Sequence, residues 1–271
     1  MKTWVNGRLL AAGEAALRPD DHGVTVGDGC FETLKVSAGV PFALTRHLAR
    51  LRHSCDGLGL ATPAEEVIRS AVQEVLASEP GAGRLRITVT GGPGPLGSGR
   101  GDADPTLIVS VGSMPAWAGA ARLVTVPWRR NERSAVAGLK TTSYAENVVA
   151  LEYAHALDAD EALFLDTQGR LSEGTGSNIF LVHGGTVRTP ALDSGCLAGI
   201  TRGLLLEWTE AEEATLTPAD LQNADEAFIT SSTRDLQSVA RVDDLVLPSD
   251  GPITARLLRD FTDRAAATPD P

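Results

Sequence analysis

Apolar residues change their spacing repeatedly along this chain, and the changes predict helices that alternate with strands. Between Leu44 and Leu58 the apolar residues recur at spacings of four, three and four, so they share one face of a predicted helix. The segment from Pro63 to Leu76 repeats this pattern. From Phe31 to Val36 apolar and polar residues alternate, which is typical of a half-buried strand.

Shorter apolar runs predict further elements. Residues 4–10 resemble two strands joined by a tight Asn-Gly turn. Buried strands are predicted at residues 85–90 and 106–111, around a glycine-rich loop. The second half adds predicted strands at 122–126, 162–165, 179–182 and 227–230, and helices at 143–156 and from about residue 200. Strands alternate with helices in both halves, so the sequence predicts an α/β (α+β) fold class.

The segment from Ser113 to Gly119 has the composition of a linker, so we predict two domains. Residues 1–112 would form an N-terminal α+β domain, residues 113–121 the interdomain linker, and residues 122–271 a C-terminal α/β domain. A chain of 271 residues is long enough for both. The tail after Ala265 is expected to fray.

The composition narrows the classes of function. The chain is 42% apolar and 22% charged, with a formal net charge of −11. This charge argues against broad attraction to nucleic acid or to an anionic membrane, and no apolar run is long enough to span a bilayer. The N-terminus lacks the apolar core of a signal peptide. Three cysteines lie far apart without metal-ligand spacing, so we expect reduced thiols, no metal site and a cytoplasmic location.

Three segments carry candidate chemistry. Lys140 lies in a Gly-Leu-Lys-Thr-Thr-Ser-Tyr run, Glu173 lies in a turn rich in glycine and serine, and Gly199 opens an amphipathic helix. The order of the three segments indicates a binding site for pyridoxal phosphate (PLP). This cofactor needs a lysine that can form a Schiff base, a carboxylate and a group that binds its phosphate, such as a helix N-terminus. Lys140 equally fits a solvated lysine in a helix's first turn, and Glu173 fits an ordinary turn residue. Tyr144, at i+4, would share a helical face with Lys140.

Phosphate binding has three candidate sites. The helix start at Ile200 and Thr201 offers free N–H groups and a favourable dipole. Arg50 on the predicted first helix could add a charge-assisted contact. Residues 230–233, Thr-Ser-Ser-Thr after an apolar strand, offer hydroxyls. Each of them is also compatible with an ordinary cap or turn.

With the motifs at residues 26–33, 47–51 and 230–235, the chain resembles the class-IV aminotransferases, the fold-type-IV PLP enzymes. The resemblance implies a two-domain fold like that of D-amino-acid aminotransferases, with PLP between the domains, and a homodimer. It makes Lys140 the Schiff-base lysine, sets Glu173 against the pyridine nitrogen and puts Tyr144 near the cofactor's phenolic oxygen. The phosphate-binding positions it implies are Arg50, Ile200, Thr201 and Ser232, and Ser231 of the hydroxyl-rich run is a further cofactor-binding candidate. Substrate-binding positions are expected at Phe31, Lys35, Ser177 and Arg100.

The motifs also bear on the substrate. Branched-chain enzymes usually carry Phe-Glu-Gly where this chain has Phe31-Glu32-Thr33, which disfavours that class. The loop at residues 91–100 lacks the Arg-x-His pair with which bacillary D-amino-acid transaminases hold the substrate carboxylate. Lys35, Arg100 or a cation of the other subunit would then bind it. We predict a transaminase with an amino donor and a keto-acid acceptor, the donor being a D-amino acid or an R-amine. Aminodeoxychorismate lyase is the alternative, and a PLP-binding protein without turnover is a third class.

Overall fold

The computed structural model describes residues 2–11, 13–14, 16–117 and 119–271. Residue contacts divide the chain into two compact units. The first consists of Met1–Pro115, Leu139–Tyr144 and Thr268–Pro271, and the second of Ala116–Gly138 and Ala145–Ala267. The boundary at residues 113–121 stays a prediction, and Ala118 within it lies outside the described residues. The short segment that contains Lys140 belongs to the first unit, which no sequence pattern indicated.

The first unit is built on an antiparallel sheet with strand order β2-β1-β6-β5-β3-β4, as far as the described residues extend. Its strands are β1 (Lys2–Val5), β2 (Arg8–Leu10), β3 (Gly29–Ser37), β4 (Val40–Pro41), β5 (Arg84–Thr90) and β6 (Thr106–Gly112). Its helices are α1 (His22–Thr25), α2 (Leu44–Leu58) and α3 (Glu65–Ser78). The predicted N-terminal hairpin and the helix from Leu44 to Leu58 are confirmed, and α3 begins two residues later than predicted.

The helices α2 and α3 cover one face of this sheet. The helix α2 packs on β3, and α3 packs on β1 and β6. Burial alternates along β5, where Leu85, Ile87 and Val89 are fully buried but Arg84 and Arg86 are exposed. The strand predicted at residues 85–90 is therefore confirmed, but only one of its faces is fully buried, because helices cover only one face of this antiparallel sheet. The other face carries polar and charged side chains.

The second unit contains a mixed sheet with strand order β12-β11-β10-β13-β14-β7-β8-β9, with β15 beside β14, among the residues described. Its strands are β7 (Ala121–Arg130), β8 (Glu161–Asp166), β9 (Leu171–Gly174), β10 (Asn178–His183), β11 (Thr186–Pro190), β12 (Glu212–Ala214), β13 (Glu226–Ser231), β14 (Asp235–Val242) and β15 (Leu245–Val246). Its helices are α4 (Ala145–Ala156), the 3-10 turn Leu192–Ser194, α5 (Ile200–Trp208), α6 (Pro218–Gln222) and α7 (Pro252–Ala267). The predicted α/β class is confirmed.

The C-terminal tail is ordered, so the prediction that it frays was wrong. The carboxylate of Asp270 accepts hydrogen bonds from the Thr45 N–H at 2.8 Å and from its hydroxyl at 2.6 Å. The Pro269 carbonyl accepts from the Ala43 N–H at 2.7 Å. The helix α2 has no side-chain cap of its own, and the tail supplies acceptors for its first turn.

Candidate active site

Both polar groups of the Lys140 backbone are bound within the first unit. Its N–H donates to the Ser54 hydroxyl at 3.1 Å, and its carbonyl accepts from the Phe31 N–H at 3.0 Å. The segment thus runs along the start of β3, and α4 begins only at Ala145. The prediction that Lys140 and Tyr144 share a helical face was wrong, because pairing with β3 holds the segment outside the helix.

The start of β3 admits this segment at close range because residue 29 is a glycine. The Gly29 carbonyl accepts from the Thr142 N–H at 2.8 Å. A Cβ at Gly29 would lie 2.6 Å from the Val89 carbonyl oxygen and 3.0 Å from the Thr142 hydroxyl. A larger residue would therefore push the Lys140 segment away from the strand.

The Lys140 amine lies beside two aromatic rings. Its Nζ is 4.4 Å from the centre of the Phe31 ring and 5.7 Å from that of Tyr144. These two rings meet edge to face with centres 5.2 Å apart. The Tyr144 ring thus lies near the Lys140 amine, although the two residues do not share a helix. The sequence contains three lysines, Lys2, Lys35 and Lys140, which leaves few alternatives for a Schiff base.

Arg86 is a cation at this site that sequence reasoning missed. Its guanidinium carbon lies 3.6 Å from the centre of the Phe31 ring. The register of β3 and β5 pairs Phe31 with Thr88 and Thr33 with Arg86, so Arg86 is the diagonal neighbour of Phe31. Strand alternation could have put Arg86 on the polar face, but the register with β3 could not be read from the sequence.

Among the described residues, the charge of Arg86 has no partner of opposite sign. Its Nε donates weakly to the Thr88 hydroxyl at 3.4 Å, and no carboxylate forms an ion pair with it in the part of the chain that the structure describes. Partial burial of its guanidinium lowers the pKa, although the residue as a whole is exposed; the positive charge of Arg84 adds to this effect, while Tyr144 opposes it. A partly desolvated cation of this kind favours an anionic ligand.

Arg50 forms part of a buried cluster below the same strand. Its Nε and Nη2 donate to the two carboxylate oxygens of Glu32 at 2.8 and 2.7 Å. The Nδ1 of His47 lies 2.6 Å from the same carboxylate. Burial alone would raise the pKa of the fully buried Glu32, but Arg50 and His47 together lower it to about 2. Burial lowers the pKa of His47, against the effect of Glu32.

Arg100 is engaged elsewhere. It donates to both oxygens of Asp28, at 2.7 and 2.6 Å, and to the carbonyls of Gly59 and Leu58 at 3.0 and 2.8 Å. The hydrogen bond and charge of Arg100 lower the pKa of Asp28. These bonds fix the glycine-rich loop to the end of α2, so they do not support the predicted substrate role. The predicted Lys35 lies on β3, on the same face as Phe31.

Glu173 is held at the end of β9 in the second unit. One carboxylate oxygen accepts from the Leu197 N–H at 2.9 Å, and the other lies 3.2 Å from Nε of Arg130. The Arg130 guanidinium covers the Phe164 ring at 4.2 Å and donates to Glu146 at 2.6 Å. The Glu173 side chain remains 13% exposed. The carboxylate is therefore oriented from two sides and keeps some exposure.

Ser177, which is predicted to bind substrate, faces a buried carboxylate. Its hydroxyl lies 3.4 Å from Glu161, which also accepts from the Thr175 N–H at 2.9 Å and from Arg234 at 2.9 Å. Ser177 is 7% exposed and Glu161 is 1% exposed. This geometry ties the turn after Glu173 to the loop that begins at Ser231, and the substrate-binding role of Ser177 stays a prediction.

The helix α5 offers an anion-binding end in the second unit. Its N-cap residue, Gly199, provides no side-chain cap. A Cβ at Gly199 would clash with the Asn178 amide oxygen, so a larger residue there would require Asn178 to move. The first-turn N–H groups of Ile200 and Thr201 point along the helix axis towards that end, where an anion is favoured. The predicted hydroxyl of Ser231 lies at the end of β13, 3.4 Å from that of Thr233.

The family model described as amino-transferase class IV matches residues 29–242. The chain therefore belongs to the class-IV aminotransferases. It is 34% identical over 276 residues to a Methanocaldococcus jannaschii protein provisionally named a branched-chain-amino-acid aminotransferase, covering 97% of this chain and 96% of that one. It is 29% identical to a D-alanine aminotransferase of Bacillus licheniformis, covering 93% and 92%.

Solved structures agree with this family. The 4-amino-4-deoxychorismate lyase of Pseudomonas aeruginosa is 32% identical, with a TM-score of 0.83 and 99% of each chain covered. A T.th. branched-chain aminotransferase solved with pyridoxamine 5'-phosphate is 26% identical with a TM-score of 0.89, covering 100% of this chain and 95% of that one. The fold is that of the fold-type-IV enzymes, and the protein is a PLP-dependent enzyme. No described helix is long and apolar enough to cross a membrane.

Proposed function

We propose that the protein is a transaminase that moves an amino group between a D-amino acid and a 2-keto acid. The observation that carries this proposal is the pairing of an amine and a guanidinium around Phe31. Nζ of Lys140 and Cζ of Arg86 lie 4.4 and 3.6 Å from the same ring centre, so they are at most 8.0 Å apart. An amino acid with its nitrogen near Lys140 and its carboxylate on a guanidinium spans roughly 6–7 Å.

The carboxylate is what separates an amino acid from a simple amine. Arg86 can donate two parallel hydrogen bonds to a carboxylate, and it has no competing acid among the described residues. An R-amine would leave this cation unpaired. Amino acids are therefore the preferred donors, and R-amines are a weaker extension. The D configuration is supported by the D-alanine aminotransferase relatives.

In the first unit we assign three cofactor-binding roles. Lys140 holds the cofactor aldehyde and, once freed by substrate, moves the substrate's Cα proton. Tyr144, edge-on to Phe31, would contact the cofactor's phenolic oxygen. Arg50 binds the phosphate, with Glu32 and His47 keeping its guanidinium in place. When bound, PLP supplies an electrophilic carbon and an electron-accepting ring.

In the second unit Glu173 holds a proton on the pyridine nitrogen. Leu197 and Arg130 orient its carboxylate. The N–H groups of Ile200 and Thr201 bind phosphate oxygens at the uncapped end of α5. The hydroxyls of Ser231 and Ser232 are the remaining phosphate donors proposed from the family pattern. Phe31 and Lys35 line the substrate side of the first unit, where Arg86 takes the role expected of Arg100.

The test is a panel of half-reactions with the PLP-loaded enzyme. Conversion of the cofactor absorbance to that of the pyridoxamine form is followed with D-alanine, D-glutamate, L-leucine and (R)-1-phenylethylamine. We expect the D-amino acids to react faster than the other two donors. Faster conversion by L-leucine would instead make the protein a branched-chain enzyme, as the name of its Methanocaldococcus relative suggests.

Aminodeoxychorismate lyase is the second candidate, because the Pseudomonas lyase matches 99% of the chain at 32% identity. The lyase reaction also begins with loss of the Cα proton, and it then expels pyruvate. Inertness towards all four donors, together with release of p-aminobenzoate from aminodeoxychorismate, would support it.

The proposal also covers the oligomeric state and the location of the protein. We propose a homodimer, by analogy with the family, which sedimentation of the loaded enzyme tests by its mass. We propose a cytoplasmic protein, because the three cysteines are free thiols in the structure and thiols persist in a reducing compartment.

A further inference from the structure

Two buried cysteines of the first unit face each other below the Lys140 segment. Cys30 is on β3 and Cys55 is on α2, and both are fully buried. Their sulfur atoms lie 3.3 Å apart. A disulfide bond of about 2.05 Å would require the two atoms to approach by about 1.2 Å.

Each cysteine adjoins a residue that holds the Lys140 backbone. Cys30 precedes Phe31, whose N–H donates to the Lys140 carbonyl at 3.0 Å. Cys55 follows Ser54, whose hydroxyl accepts from the Lys140 N–H at 3.1 Å. Cys30 also forms a β-bridge with Thr141, the residue after Lys140. A covalent bond between the sulfurs would therefore pull on both attachments of the lysine.

We propose that Cys30 and Cys55 form a reversible disulfide, and that its formation displaces the backbone attachments of Lys140 and slows the enzyme. The consequence for the reaction rests on the role proposed for Lys140. The disulfide itself does not depend on that role. Cytosolic disulfides of mesophilic proteins are usually transient and redox-sensing, and this position fits such a use.

The oxidant we infer is a peroxide. The Cys55 thiolate attacks hydrogen peroxide, the O–O bond breaks, and Cys55 becomes a sulfenic acid while hydroxide leaves and takes up a proton. The Cys30 thiol then attacks that sulfur, the S–S bond forms, and the S–O bond breaks to release water. Two thiols and one peroxide thus give one disulfide and two waters.

The order of these steps follows from the environments of the two thiols. A hydrogen bond with Cys30 lowers the pKa of Cys55, whereas the same bond and burial raise the pKa of Cys30. Cys55 is therefore the better first nucleophile. Because both sulfurs are buried, local opening of α2 must admit the peroxide, and we expect slow oxidation.

The third cysteine provides a matched control. Cys196 is buried in the second unit, and burial, with the charge of Glu173, raises its pKa to about 11. It has no thiol neighbour among the described residues. The variant Cys196→Ala should respond to peroxide as the parent does, whereas Cys30→Ala and Cys55→Ala should each lose the response. If one of these two single variants fails to fold, the other still tests whether the response to peroxide needs both thiols.

The experiment treats the PLP-loaded enzyme with hydrogen peroxide, quenches with catalase and maps the peptides by mass. We expect a Cys30–Cys55 link, a loss of two hydrogens, and a half-reaction rate at least about tenfold lower, since a shift of about 1 Å at a reacting group costs up to 10²-fold. Dithiothreitol should restore the rate.

Two outcomes would overturn the proposal. If the native protein forms no link while the denatured chain does, the pair is not a disulfide site. If the link forms but the cofactor absorbance and the half-reaction rate stay unchanged, the coupling to Lys140 is refuted. Peptide mapping and the cofactor absorbance are read without turnover, so failure of the transaminase proposal would appear separately, as inertness of the untreated enzyme.

Discussion

Arg86 and Arg100 are two cations of the first unit that have opposite surroundings. Arg100 donates to both oxygens of Asp28 and to two backbone carbonyls. Arg86 lies over the Phe31 ring, and no acid pairs with it among the described residues. The first arrangement satisfies a charge within the fold, and the second leaves a charge for a ligand. An arginine without an acidic partner in the fold is therefore a stronger candidate for binding a substrate carboxylate than one chosen for its position in a loop.

The same distinction applies to Arg50, which is paired with the buried Glu32. The charge of Arg50 is thus satisfied within the fold, like that of Arg100, yet Arg50 adjoins the predicted cofactor site. We therefore expect Glu32 to act on function only by holding Arg50 in place. Variants of these residues, and of the lysine beside Arg86, can confirm or refute this interpretation.

The largest effect is expected for Lys140→Ala, because this variant removes the amine that would bind the cofactor. The substrate role proposed for Arg86 also depends on that amine. We expect complete loss of the visible absorbance of the lysine-bound cofactor. Borohydride reduction of the parent should fix the cofactor on the peptide that contains Lys140. The control is Lys2→Ala, which should retain the absorbance. A cofactor fixed on Lys35 in the parent would contradict the assignment.

Next is Glu32→Gln, which removes the anion between Arg50 and His47. A buried cation left without its partner costs about 3 kcal/mol of unfolding free energy, measured by denaturant titration. Because the pKa of Glu32 is lowered to about 2 from 4.5, its stabilising contribution is complete above pH 4.5 and is lost as the pH falls towards 2. The variant should lack this acid-dependent loss.

The control for Glu32 is Glu65→Gln. Glu65 pairs with Arg69 at 2.8 Å on the surface, where both side chains are about a third exposed. Such pairs contribute only about 0.5 kcal/mol. Equal destabilisation by the two variants would contradict the importance of the buried cluster.

Arg86→Met should weaken D-alanine binding about 10- to 100-fold, since a charge-assisted pair of hydrogen bonds is lost. Saturation of the half-reaction rate with D-alanine measures this effect. The reaction with (R)-1-phenylethylamine, which has no carboxylate, should not weaken. Arg84→Met is the matched control, because Arg84 has the same charge on the same strand and face. Equal losses of D-alanine affinity in both variants would mean that any positive charge on this face of the sheet attracts the substrate, without a specific bond from Arg86.

The smallest effect is expected for Arg100→Met. Its ion pair with Asp28 is about one-third exposed on the arginine side, so we expect a loss of about 1 kcal/mol of unfolding free energy. D-alanine saturation should stay within about twofold of the parent, since no substrate contact is lost. A weakening like that of Arg86→Met would reverse the comparison of these two arginines.

Much of the fold could be predicted from the sequence, because apolar periodicity reports local structure. The helix from Leu44 to Leu58 and the strand around Phe31 follow from spacing alone. The helix predicted from residue 143 begins at Ala145, since bonds to β3 compete with helix formation in the preceding residues. Periodicity contains no information on such a partner, which lies more than a hundred residues away.

The candidate site shows the same limit. Lys140, Glu173 and Arg50 could be named from family motifs, although their roles stay predictions. Arg86 could not, because its importance arises from the register of β5 against β3. The short distance between the Cys30 and Cys55 sulfurs likewise depends on the packing of α2 against β3. Residue spacing does not specify this packing.

The pairing of residues 139–144 with β3 has a consequence for synthesis on the ribosome. The first 115 residues emerge before the segment that binds the Gly29 carbonyl and the Phe31 N–H. Until then this edge of the nascent sheet is exposed and open to wrong partners. A fragment truncated after residue 115 should consequently aggregate more readily than one that extends through Tyr144.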